Sequence, residues 1–158
     1  MKYPIFLTLI LISSFVNGQN YTLVDGEYMD TISLIKTDCP KYNVYYYQVN
    51  GKYPKSSSSL LKEVQAFLQN KTYSGSGYIT FRCRINCNGK LDTKTQVLQT
   101  DEKYKTTRFD KRLLNDLFDY FKTLDKWEIP TNNEEIPFSY IVFITFKLKN
   151  GKIINIIP

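Results

Sequence analysis

The stretch Gly77-Tyr78-Ile79-Thr80-Phe81-Arg82-Cys83-Arg84-Ile85, followed by Asn86-Cys87-Asn88-Gly89, decides the reading of this chain. Ile79, Phe81, Cys83 and Ile85 alternate with Tyr78, Thr80, Arg82 and Arg84. A period of two with one apolar and one polar face predicts a half-buried antiparallel strand. Asn88-Gly89 is a strong hairpin signal, because both residues tolerate the positive φ of a tight primed turn. Leu91–Gln99, rich in Thr and Val, is then expected as the return strand.

On either side of this hairpin the period becomes helical. Downstream, Phe109, Leu113, Leu117 and Phe121 stand four residues apart, and Leu114, Phe118 and Leu124 widen the stripe. Such spacing predicts an amphipathic helix whose aromatic residues are core, not a cofactor box. Upstream, Leu60, Leu61, Val64, Phe67 and Leu68 predict a helix capped by Ser58 or Ser59 and ending near Asn70. The last long strand is Phe138–Leu148, apolar on both faces at its centre, so it is expected between the helix layer and some other cover. Asn150-Gly151 turns the chain, and Ile153–Ile157 is a candidate terminal strand. Asn43–Val49 is either a strand or an extended arm. The order helix–strand–strand–helix–strand predicts an α+β domain, a small antiparallel sheet with a packed amphipathic helix. The chain divides into a leader at 1–18, a Tyr-rich arm at 19–55 and a domain at 56–158.

Composition narrows the chemistry. The 158 residues include no histidine, which excludes imidazole acid–base catalysis, Ser–His and Cys–His couples, and imidazole zinc sites. Three cysteines cannot fill a four-thiolate metal site. Asp101-Glu102 and Glu134-Glu135 lie in polar stretches with nothing to separate their pKa values, as a catalytic carboxylate pair requires. No enzyme activity, metal or cofactor is expected. The net charge of +6 is spread among lysines interleaved with acids, a solvated surface and not a nucleic-acid footprint.

Met1-Lys2, the apolar run Ile5–Ile12 and Val16-Asn17-Gly18 have the form of an export signal cleaved after Gly18. The apolar stretch of about 12 residues is short of the roughly 20 that span a bilayer. An uncleaved anchor is the alternative. The three cysteines fit an oxidising compartment. Cys83 and Cys87 would be about 13 Å apart along a strand, beyond disulfide reach, so any bridge must use Cys39. Cys39–Cys87 is favoured, since Cys87 borders a turn and Cys83 lies mid-strand on the apolar side. Three free thiols remain the alternative.

Tyr53-Pro54, the helix after it, Gly77 opening a strand, Asn88-Gly89-Lys90, the second helix, Lys126-Trp127-Glu128-Ile129-Pro130 and a strand ending Thr145-Phe146-Lys147-Leu148 follow one another over residues 53–148. This train resembles the C-terminal domain of TonB as found in Bacteroidetes, although Lys55-Ser56 stands where that family has two glycines. The resemblance implies an exported protein of the periplasm or cell envelope that captures an extended partner segment, such as one from an outer-membrane transporter. The mode is strand addition, in which a sheet edge lends its backbone hydrogen bonds. Its receiving edge would be the last strand, with Phe138, Tyr140, Val142, Ile144 and Phe146. The alternative is that Ile153–Ile157 or the N-terminal arm covers this edge. An energy transducer held by an uncleaved N-terminus is the second functional reading; only through that anchor or a partner would the chain meet a membrane. Tyr78, Arg82 and Arg84 on the polar strand face form a second candidate binding surface, the alternative being a simply solvated face. Trp127 is expected to pack the helix end against the sheet, the alternative being a partly exposed anchor that joins this surface.

Overall fold

The computed structural model describes residues 27–29, 38–51, 53–91 and 95–158. The expected leader, including its cleavage position, lies outside them. The described residues form an α+β fold with six strands and two helices: β1 (Glu27–Met29), β2 (Lys41–Tyr45), α1 (Ser57–Phe67), β3 (Gly77–Ile85), β4 (Thr95–Thr100), α2 (Lys111–Lys122), β5 (Ser139–Lys149) and β6 (Lys152–Ile157). The sheet runs β1-β4-β3-β5-β2, and β6 also pairs with β5. All pairings are antiparallel except the parallel contact of β2 with β5.

The period-two reading of β3 holds residue by residue: Gly77, Ile79, Phe81, Cys83 and Ile85 are buried and the residues between them are half-buried. Asn86 shapes the turn that follows, its side-chain oxygen accepting from the backbone N–H of Asn88 and Lys90. Both helices pack on one side of the sheet and share its core. From α1 come Leu60 and Val64, and from α2 Leu113, Leu114, Leu117, Phe118, Tyr120 and Phe121. The α1 cap is Ser56, two or three residues earlier than expected, its hydroxyl oxygen accepting from Ser59 N–H at 3.2 Å. In a run of four serines, only tertiary packing selects which one ends the extended segment. Asp110 caps α2 in the same way, accepting from Arg112 N–H.

The 19–55 arm is not separate from the sheet, since it contributes both β1 and β2. Cys39 and Cys87 pair with Cα atoms 5.7 Å apart and fasten the start of β2 beside the end of β3. Cys83 is a free thiol buried in the core. At the β5–β6 turn, Gly151 adopts φ +75°, and a Cβ there would stand 2.0 Å from the Tyr73 carbonyl oxygen. Only glycine fits so close to another backbone.

Asp116 of α2 joins this loop to the helix layer. It accepts from the Tyr73 hydroxyl and from Lys71 Nζ at 2.7 Å. Desolvation is the largest single influence on Asp116 and pushes its pKa up. The hydrogen bonds from Lys71 and Tyr73 outweigh it together, so the carboxyl titrates below its ordinary value of 3.8. A depressed folded pKa stabilises the fold fully above the unfolded value, and the gain disappears as pH falls through the folded value. Asp116→Asn is therefore expected to cost about 1 kcal/mol at pH 7. Urea unfolding of both proteins from pH 7 to pH 2.5 checks this: the difference should shrink only below about pH 4. A constant difference across that range would refute the assignment.

Candidate functional site

The residues proposed from sequence fall on two features, the edge of β5 and the sheet face away from the helices. β5 is not an edge strand. On one side it pairs with β3 from Gly77↔Leu148 to Ile85↔Tyr140. On the other, β2 covers its start (Lys41↔Ser139, Tyr45↔Ile141) and β6 its end, from Thr145↔Ile157 to Lys149↔Lys152. Only Val142–Ile144 lies between these partners, and the single 3-10 turn Tyr46–Gln48 sits against β5 there. The Tyr46 hydroxyl donates to the Pro158 carbonyl at 3.4 Å, linking the two covering segments.

The expectation of an open receiving edge at Phe138–Leu148 is thus corrected. Phe138, Tyr140, Val142, Ile144 and Phe146 are all buried. A strand apolar on both faces belongs inside a sheet, and its exposed edge would be a liability for aggregation. The two covers differ in strength. β6 follows a tight turn and buries Ile153 and Ile156 in the core, whereas β2 meets β5 at two register positions separated by an irregularity, with its first three residues exposed.

For Trp127 the structure has the packing arrangement and not the exposed binding anchor. Its ring is buried against Tyr53 (4.9 Å between centroids) and Phe121 (6.3 Å) on the helix side, so it closes the core and is remote from the open face.

Tyr78, Arg82 and Arg84 do share the open face, together with the residues that the pairing places beside them. Arg82 stands opposite Gln96 and Phe143, Thr80 opposite Leu98 and Thr145, and Tyr78 opposite Thr100 and Lys147. Each has a different attachment. Tyr78 stacks on Tyr104 at 5.0 Å, with Lys147 Nζ 5.8 Å from its ring centre. Arg84 donates to the Tyr42 carbonyl (2.7 Å) and to the Asn43 side-chain oxygen (3.1 Å), so it holds the arm in place. Arg82 lies 5.9 Å from the Phe143 ring centre and donates weakly to Gln96 at 3.3 Å. Tyr45 stacks on Phe143 and Tyr47 on Tyr45. These aromatic residues and Arg84's arm contacts give the apolar outer face of β5 its cover, in place of a second layer.

Phe143, Lys147, Leu98 and Ile157 were not anticipated in this surface. The signal was present in the odd positions of β5, but which strand lies beside Arg82 is a matter of long-range pairing. Chemically reactive groups are scarce. Burial pushes the Cys83 thiol well above its ordinary pKa. No cluster of three or more Cys, Asp and Glu among the described residues is placed to hold a metal ion, and no helix among them is long and apolar enough to cross a membrane. A cavity of about 230 Å³ beside Leu68, Tyr73 and Ile153 is smaller than ordinary ligand pockets. Comparison with protein-family models, with curated proteins and with solved structures finds no match for this chain.

Proposed function

We propose that this chain is a non-enzymatic, exported protein-binding module of the cell envelope, similar in plan to the TonB C-terminal domain. It captures an extended partner segment by strand addition at β5, and the partner takes the place of β2. The observation that supports this reading is the character of β2. It is a short strand in parallel pairing, exposed over its first three residues, held at two register positions, with only the partly buried Val44 packed against the core. An incoming strand would supply the same backbone hydrogen bonds to Ser139–Ile141 and extend them over Val142–Ile144, so exchange costs little pairing and can gain some. The lack of histidine and the neutral, buried Cys83 thiol favour binding over catalysis.

The test is an NMR titration of the labelled chain with extended N-terminal peptides of outer-membrane transporters. Amide shifts concentrated at residues 139–144, with loss of the Tyr45–Ile141 pairing, are the expected result. An unchanged spectrum at millimolar peptide would overturn strand capture of transporters.

A further inference from the structure

Among the described residues, Arg82 and Lys147 on the open sheet face have no carboxylate partner. The side chains that β3, β4 and β5 direct to this face are Tyr78, Thr80, Arg82 and Arg84, then Gln96, Leu98 and Thr100, and the odd residues from Ser139 to Lys149; none is a carboxylate. Arg82 is half-buried, with its guanidinium against the Phe143 ring. Its Nη1 makes only the long 3.3 Å bond to Gln96, and a partly desolvated guanidinium held so weakly is suited to a carboxylate bound by two parallel hydrogen bonds.

The spacing of these cations is set by the sheet. Arg82 and Phe143 form one cross-strand pair, Tyr78 and Lys147 another, four residues along β3. At about 3.4 Å per residue the two cations stand roughly 13 Å apart along the strand direction. The pair between them, Thr80 and Thr145, has hydroxyls bonded to each other at 2.9 Å and is flanked by the exposed side chains of Leu98 and Ile157. Beside the two cations the tyrosine rings are taken up, Tyr78 by stacking on Tyr104 and Tyr45 by lying between Tyr47 and Phe143, whereas the exposed Tyr28 stands beyond Gln96 on β1. Nucleic-acid readout of a sheet needs unoccupied aromatic faces.

We infer that this face docks an extended acidic polypeptide segment, with carboxylates at positions i and i+4 on Arg82 and Lys147 and an apolar residue at i+2 over the Thr80–Thr145 pair. Side chains two apart on an extended chain point the same way, so one face of such a segment presents all three groups in register. The site is distinct from the β5 edge, and filling it leaves β2 in place.

The experiment uses the ¹⁵N-labelled full chain and the blocked heptapeptide Thr-Glu-Thr-Val-Thr-Glu-Thr. Shifts should centre on residues 78–84 and 143–147 with the Tyr45–Ile141 pairing intact, and replacing both Glu by Gln should weaken binding at least tenfold. The double variant Arg82→Glu, Lys147→Glu should lose the acidic peptide and bind the version with Lys in place of both Glu. Both side chains are partly exposed, and an otherwise unchanged spectrum of the variant verifies its fold. Equal binding of the Glu and Gln peptides, shifts confined to residues outside this face, or absence of binding would each overturn the proposal. So would docking of a deoxythymidine oligomer on this face when the acidic peptide does not bind. Displacement of β2 by the peptide would likewise count against it and assign the binding to the β5 edge.

Discussion

Phe81→Ala is expected to lower the free energy of unfolding by about 3–5 kcal/mol, a large share of the stability of a domain this size. Phe81 is wholly buried at the middle of β3, where α2 and β5 converge on the core. Its ring meets Phe121 at 5.5 Å, Phe118 at 5.7 Å and Phe146 at 5.8 Å between centroids. Truncation loses the transfer energy of the ring and three aromatic contacts, and leaves a cavity walled by other rings that cannot all move inward. The residue's neighbours belong to α2, β3 and β5, so collapse at one wall would open a gap at another. Domains of this size are stable by only about 5–15 kcal/mol, so the variant should have a midpoint lowered by roughly 10 °C or more. Phe81→Leu, which preserves most of the volume, should cost under about 1.5 kcal/mol. Urea unfolding followed by tryptophan fluorescence measures both, since Trp127 packs on Phe121 in the same core. A loss below about 1 kcal/mol for the alanine variant would mean that this ring is not the centre of the fold.

Replacing both Cys39 and Cys87 by serine is expected to cost about 2–4 kcal/mol and to act on β2 before the rest of the sheet. The bridge closes a loop between residues 48 apart in sequence. The chain-entropy estimate for a loop of that length is about 4 kcal/mol, a ceiling that residual structure in the unfolded chain reduces. Locally the bridge matters more, because the other attachments of β2 are modest: two register positions on β5, the contacts from Arg84 to Tyr42 and Asn43, the rings of Tyr42 on Phe138 and Tyr45 on Phe143, and a partly buried Val44. Untying Cys39 lowers the effective concentration of β2 at the β5 edge. Hydrogen exchange should therefore accelerate at residues 139–141 in the double variant while residues 77–85 stay protected. Equal acceleration across β3 and β5 would show that the bridge supports the whole sheet, not the arm. Partner capture at β5 would strengthen in the same variant if β2 competes for that edge.

Much of this fold is written in local periods. The alternation of Ile79, Phe81, Cys83 and Ile85 against Tyr78, Thr80, Arg82 and Arg84 reads directly as β3, because each choice of side chain is fixed by the face it occupies. The four-residue spacing of Leu113, Leu117 and Phe121 reads as α2 for the same reason. Strand spacing excluded only a Cys83–Cys87 bridge; the Cys39–Cys87 pairing was favoured because Cys87 borders a turn, and the structure has that pair. Boundaries were less legible. Of the expected return strand, Leu91 bridges to Ile85 and β4 covers Thr95–Thr100, residues 92–94 lying outside the described residues, and the extended run from Asn43 gives way to a 3-10 turn at Tyr46. Polar, Tyr-rich segments have no strong period, so their local conformation depends on what they meet.

The binding surfaces divide along the same line. By itself the sequence determined that Tyr78, Arg82 and Arg84 share one polar face of a strand, and that no imidazole chemistry is available. Tertiary structure decided between the two readings of Trp127, placing it in the core, and alone decided that Phe143 and Lys147 stand beside Arg82 and Tyr78. It also decided that both edges of Ser139–Lys149 are occupied. The reason is physical: a side chain's face is set by the dihedral period of its own few neighbours, whereas the neighbour across a sheet is set by register between segments as far apart as Lys41 and Ser139. That register is chosen by the total burial and hydrogen bonding of the folded chain, which no local stretch encodes.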